Sequence, residues 1–123
     1  GRAQRGRAGG PAGDAAAGTA DLGSSGALAP GQARSYADPG TGAPAIAIRT
    51  AEGELVGVSA VCTHAGCTLD YRQGRLACPC HGSTFDVRTG APFGGPARRP
   101  LEVARVTERN GRIVAGPLRV KPG

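Results

Sequence analysis

The 123-residue sequence has no tryptophan and no methionine, only two tyrosines and two phenylalanines, and a single lysine, Lys121. A core drawn from Ala, Val, Leu and Ile alone would be thin at a length that allows one small domain. No apolar run approaches the roughly 18 residues of a membrane-spanning helix, so this segment is not expected to span a bilayer itself. Heptads are absent, and no repeat of about 20 to 50 residues is apparent. The net charge of +6 rests on scattered arginines, with too few aromatics beside them for base stacking, so no nucleic-acid partner is expected. Neither a phosphate-binding loop nor a nucleotide fingerprint is present.

What the sequence does have is glycine and proline, 22 and 10 residues, together about a quarter of the chain and close to the range of low-complexity segments. Residues 1–26 hold eight Gly, seven Ala and one Pro, with Leu22 their only large apolar side chain. Such a stretch cannot offset its ordering entropy by burial, so residues 1–26 are expected to be a flexible linker or tail. Arg2, Arg5 and Arg7 suit lipid headgroups if an anchor precedes them. The sequence opens on glycine rather than methionine; a processed product is expected, its export signal or anchor lying outside this segment.

From Leu28 onward, short β-branched runs alternate with Gly/Pro turns. Ala45–Ile48 and Leu55–Val61 flank the turn-like Ala51-Glu52-Gly53-Glu54, and Leu76-Ala77 and Leu101–Val106 follow. Arg112–Ala115 comes after Asn110-Gly111, a strong hairpin signal. The prolines interrupt any helical period, so the fold class is all-β, a small antiparallel barrel or sandwich over 27–123.

All four cysteines and both histidines fall within 20 residues, as Cys62-Thr63-His64-Ala65-Gly66-Cys67 and Cys78-Pro79-Cys80-His81-Gly82-Ser83. Two plain disulfides would use the cysteines and leave both histidines unexplained. A zinc site of two Cys and two His would suit the donor types and leave two thiols over. Four thiolates on one metal would strain the Cys78-Pro79-Cys80 spacing and strand the histidines. No Ser-His-Asp triad is available once both histidines are ligands.

These two motifs closely resemble those of the Rieske iron–sulfur proteins, and the resemblance extends over about 28–121. It implies an antiparallel β domain with a small cluster-binding subdomain of two loops, about 61–97, holding a Rieske 2Fe-2S cluster. Cys62 and Cys78 would hold one iron, His64 and His81 the other, and Cys67 and Cys80 would form a disulfide between the loops. Two ferric ions, two sulfides and two thiolates sum to zero charge, so adding an electron costs less than with four thiolates, and the potential rises. Imidazole ligands also keep a titratable N–H, which would couple proton to electron uptake. Ser83 matches a serine that donates toward a cluster sulfur. Phe85 stands where many high-potential members carry tyrosine. Gly94-Gly95-Pro96-Ala97 resembles the loop that covers the cluster. Ala65 departs from the family: quinol-oxidising members often carry a larger apolar residue, commonly Leu, after this histidine. The 13 residues between His64 and Cys78 suit a compact bacterial form.

The disulfide pattern points to the high-potential branch and to an oxidising, extracytoplasmic compartment. The implied function is proton-coupled one-electron transport as the periplasmic or outer-face head of a membrane-associated cytochrome bc-type quinol oxidase. Its partners would be a c-type cytochrome and quinol held by a membrane cytochrome b. The chain has no independent catalytic machinery of its own, so any oxidoreductase activity would belong to the complex. The alternatives are a stand-alone periplasmic Rieske carrier, a small subunit of a molybdenum oxidase, and, from another class, a structural zinc module.

Overall fold

In the segment Pro-Ala-Ile-Ala-Ile-Arg, isoleucine alternates with alanine at a period of two, which gives a strand one large-residue face and one small-residue face. In the computed structural model, which describes residues 18–63, 66–72, 74–80 and 82–119, this segment is the centre of the molecule. The strands are β1 (Ala20–Ser24), β2 (Ala33–Ala37), β3 (Pro44–Arg49), β4 (Leu55–Ser59), β5 (Asp70–Arg72), β6 (Arg75–Ala77), β7 (Thr84–Phe85), β8 (Pro92–Gly94), β9 (Val103–Ala104), β10 (Val106–Arg109) and β11 (Arg112–Ala115). A 3-10 turn, Ser25–Ala27, follows β1. Among the described residues these strands form three antiparallel sheets, in the orders β9-β4-β3-β2, β10-β11-β1 and β5-β6-β7-β8. The all-β class is thus correct, and no helix among the described residues is long and apolar enough to cross a membrane.

The first sheet is the middle layer. Ile46, Ile48 and Val58 point to one side, into a core shared with Leu69, Leu76, Phe85 and Leu101. Ala47 points to the other, toward Leu22, Val106, Ile113 and Ala115. Register explains the close approach of the second sheet: Ala47 lies opposite Gly57, and Gly57 opposite Ala104, a row without bulk. A methyl on Gly57 would come within 2.8 Å of Val106 Cγ2, so this position excludes every side chain.

The expected turns are in place. Thr50 N–H donates to Glu54 C=O at 2.8 Å, closing the β3–β4 hairpin. Asn110 and Gly111 both have positive φ, 52° and 75°, the backbone of a type I′ turn.

Two expectations need correction. The stretch expected to stay a flexible lead through residue 26 ends earlier: Ala20–Ser24 pair with β11, Leu22 is buried, and Arg112 grips Asp21 through bonds of 2.9–3.1 Å. Edge pairing and one apolar contact outweigh the weak local propensity there. Residues 1–17 lie outside the described residues. Likewise Leu101–Val106 is not one strand. Val103–Ala104 pair with β4 whereas Val106–Arg109 pair with β11, so the chain changes sheets at Arg105.

Candidate metal centre

Both cysteine motifs fold into six-residue loops of one hydrogen-bonding pattern. In Cys62–Cys67, the first N–H donates to the sixth C=O at 2.8 Å, and the fifth, Gly66, donates back to the first C=O at 2.9 Å. In Cys78–Ser83 the same two bonds measure 2.7 and 3.0 Å. The fifth residue needs positive φ to aim its N–H inward, and Gly66 and Gly82 have φ of 75° and 77°. The first loop is anchored by the Val61–Thr68 bridge and the bond from Leu69 N–H to Ala60 C=O. The second grows from the β6–β7 pair, whose inward Leu76 and Phe85 are fully buried.

Two further loops share this backbone, and the sequence reading missed them. Asp38–Ala43 and Asp86–Ala91 make the same pair of bonds around Gly42 and Gly90. The signal was the repeated pattern Asp-x-x-Thr-Gly-Ala-Pro, at Asp38–Pro44 and Asp86–Pro92. Here the first side chain is a carboxylate that fills its own loop: Asp38 accepts from Thr41 N–H and Oγ1 and from Leu118 N–H, Asp86 from Arg88 N–H, Thr89 N–H and Thr89 Oγ1. Cysteine at the same position offers a thiol instead.

Burial pushes the Asp38 carboxyl upward, but the Leu118 and Thr41 donors outweigh it and hold its pKa below the usual value; Asp86 behaves alike through Arg88 and Thr89. A lowered folded-state pKa adds stability that is complete above the unfolded carboxylate value and is lost as pH falls through the folded one. Asp38→Asn should therefore be destabilising at neutral pH, by about 1–3 kcal/mol. Its deficit against the native chain should shrink as acid protonates Asp38, a trend that thermal melts across pH 2–7 would follow; a deficit independent of pH would contradict it.

Cys67 and Cys80 form a disulfide that ties the last residue of one loop to the third of the other, with Cα atoms 6.5 Å apart. Cys62 and Cys78, each 2% exposed, stand outside it at the corresponding first positions of their loops. The Cys78 sulfur lies within 4.8 Å of both disulfide sulfurs, which are already bonded and so are not thiolate donors. His64, Ala65 and His81 lie outside the described residues.

Ser83 is fully buried, and its Oγ accepts from Ala97 N–H at 3.0 Å. Among the described residues no protein acceptor takes the proton of Ser83. Gly95, at φ 81°, approaches so closely that a Cβ would sit 2.6 Å from Ser83 Cα, so the chain at Gly95 packs directly on the second loop. Thr63 and Arg99 clamp the first: Thr63 Oγ1 donates to Arg99 C=O at 2.7 Å, and Arg99 Nη2 donates to Thr63 C=O at 3.3 Å. Phe85 is wholly buried.

Two buried thiols at equivalent loop positions, a buried hydroxyl with a proton to give, and backbone packed where only glycine fits make a donor set suited to an iron–sulfur cluster. The chain matches the Rieske [2Fe-2S] domain over residues 21–107. It is 43% identical over 63 residues to the chloroplastic cytochrome b6-f complex iron-sulfur subunit of Bigelowiella natans, across 50% of this chain and 25% of that protein. It is 40% identical over 63 residues to cytochrome b6-f complex iron-sulfur subunit 1 of Trichormus variabilis, across 50% of this chain and 35% of that one. These matches thus span about a quarter to a third of the relatives' length. In shape it is similar to the cyanobacterial plasma membrane Rieske protein PetC3 of Synechocystis PCC 6803, with a TM-score of 0.69 and 25% identity, over 78% of this chain and 97% of that one. The domain match covers well over half the chain and agrees with the loop geometry: the chain belongs to the Rieske family of electron-transfer domains, and its cofactor is a 2Fe-2S cluster.

Proposed function

We propose that this domain is the extracytoplasmic electron-carrying head of a membrane quinol-oxidising complex of the cytochrome bc or b6-f type. It would pass one electron at a time from quinol, held by a membrane cytochrome b, to a c-type cytochrome. The observation that carries this reading is the Cys67–Cys80 disulfide between the two loops, a bond suited to an oxidising compartment. The curated relatives, named as cytochrome b6-f iron-sulfur subunits, support the same class of complex.

When bound, the cluster supplies reversible one-electron chemistry. Cys62 and Cys78 would hold one iron as thiolates, His64 and His81 the other as imidazoles. The remaining residues do what the fold allows each of them. The disulfide ties the two loops together, Gly94-Gly95-Pro96 would cover the cluster, and the Ser83 hydroxyl would donate toward a cluster sulfur. An imidazole ligand at His64 or His81 would keep one ring N–H free of the metal, a group through which proton uptake could be coupled to electron uptake.

Two substitutions probe the tuning. Ser83→Ala removes a donor that favours the reduced state, and the midpoint potential should fall. Phe85→Tyr adds a hydroxyl beside the second loop, and the midpoint should rise. Protein-film voltammetry reads both, and an unchanged value for either contradicts the role given to that residue.

The membrane assignment is tested on the native protein. Solubilised membranes should yield it together with a b-type cytochrome, with a midpoint potential that falls as pH rises from neutral to alkaline. Recovery as a lone soluble carrier, or with a molybdenum protein, would replace this reading.

A further inference from the structure

Two hairpins of this protein place one arginine directly opposite another. Arg109 faces Arg112 across β10–β11, and Arg72 faces Arg75 across β5–β6. Like charges at directly opposed positions destabilise a strand pair. At the first hairpin the cost is offset, because Asp21 takes Arg112 in a two-pronged ion pair. The second hairpin has no such relief: among the described residues, neither Arg72 nor Arg75 has an acidic partner within ion-pair distance. Asp70, on the same face two residues from Arg72, makes no such pair with it. Strands β5 and β6 have three residues each, so this pair has little neighbouring structure to absorb the repulsion.

Arg75 is held by a ring instead. Its guanidinium carbon lies 4.8 Å from the centroid of Phe93. Phe93 is 59% exposed, the one large exposed hydrophobic side chain among the described residues. It sits in β8 immediately before Gly94-Gly95, and Arg75 is three residues before Cys78 on β6. Leu76 and Phe85 fill the inner side of this sheet, so arginine, arginine and an aromatic ring share its outer side, beside the second cysteine loop. Arginine and aromatic residues are the types that dominate interface energetics, and transient electron-transfer contacts are small.

We propose that Arg72, Arg75 and Phe93 form the docking face for an acidic redox protein. The two guanidinium groups steer a negative patch toward the second cluster loop, and Phe93 supplies the apolar contact once the partner is seated. The inference rests on the electron-transfer function above and names the chemistry of the partner.

The test oxidises the reduced holoprotein by stopped flow with two probes, an acidic and a basic c-type cytochrome. The native protein is compared with Arg75→Glu and with Arg109→Glu, an equal charge change on the remote hairpin. Midpoint potential is measured alongside, so that rates are compared at known driving force and a damaged cluster is recognised separately. At low ionic strength Arg75→Glu should slow the acidic probe about tenfold or more and speed the basic one, with both effects vanishing at high salt. Arg109→Glu should change either rate less than about twofold. Phe93→Ser should slow the acidic probe at high salt as well. Equal effects of the two charge reversals would reduce the patch to net charge and overturn the proposal. So would an Arg75→Glu variant that loses binding to vesicles of phosphatidylglycerol while its electron-transfer rates stay native, since the face would then meet lipid.

Discussion

Cys78→Ser should give a colourless protein without iron. The position is 2% exposed, at the start of a loop whose first N–H is bonded to Ser83 C=O at 2.7 Å. Serine there replaces a soft thiolate with a hydroxyl that does not ionise at neutral pH, so one of the two buried thiols proposed to hold iron is gone. The damage reaches past the metal. Cys78 belongs to the same buried cluster as Leu76, Phe85 and Leu101, and an unpartnered hydroxyl in that cluster costs about 1–3 kcal/mol. Cys62→Ser should act alike, because Cys62 holds the equivalent place in its own loop and the same core. Visible absorption and iron content measure the outcome. A Cys78→Ser protein with native colour and iron would remove Cys78 from the ligand set.

Removing the bridge should cost the second-largest amount. The Cys67–Cys80 bond spans 13 residues of sequence, and a closed loop of that size is worth about 3 kcal/mol through the unfolded chain. In a folded unit of this size, the double variant Cys67→Ser/Cys80→Ser should therefore melt about 15 °C lower. Cys80 is exposed and Cys67 half-buried, so the new hydroxyls are solvated and the loss reports on the cross-link. The holoprotein should also lose its cluster faster under denaturant, because the two loops then depend on separate anchors. A melting point within a few degrees of the native one would show that the β framework alone sets the loop spacing.

The reach of the sequence differed from element to element for physical reasons. The 2Fe-2S cofactor was legible because the cysteines and histidines are few, chemically distinctive and crowded into two short runs, and the Cys67–Cys80 bond agrees with the family resemblance. Strands β3 and β4 were legible because Ile46 and Ile48 alternate with alanines around a turn. Strand β1 was not, since Ala-Asp-Leu-Gly-Ser carries little intrinsic preference and takes its order from β11 and from the Arg34 bond to Leu22 C=O. The Asp38 and Asp86 loops stood in plain view as a repeated pattern, but their kinship with the cysteine loops lies in backbone hydrogen bonds that composition does not reveal. The Arg72–Arg75–Phe93 face depends on register across three strands, and no spacing along the chain announces it.

The central claim is that two buried cysteines share the cluster with two histidines, so that a one-electron carrier works at high potential. A potentiometric titration of the intact holoprotein tests this most directly. Mixed histidine and thiolate ligation predicts a midpoint between about −150 and +300 mV, and a value near about −400 mV, where clusters with four thiolates lie, would contradict the account.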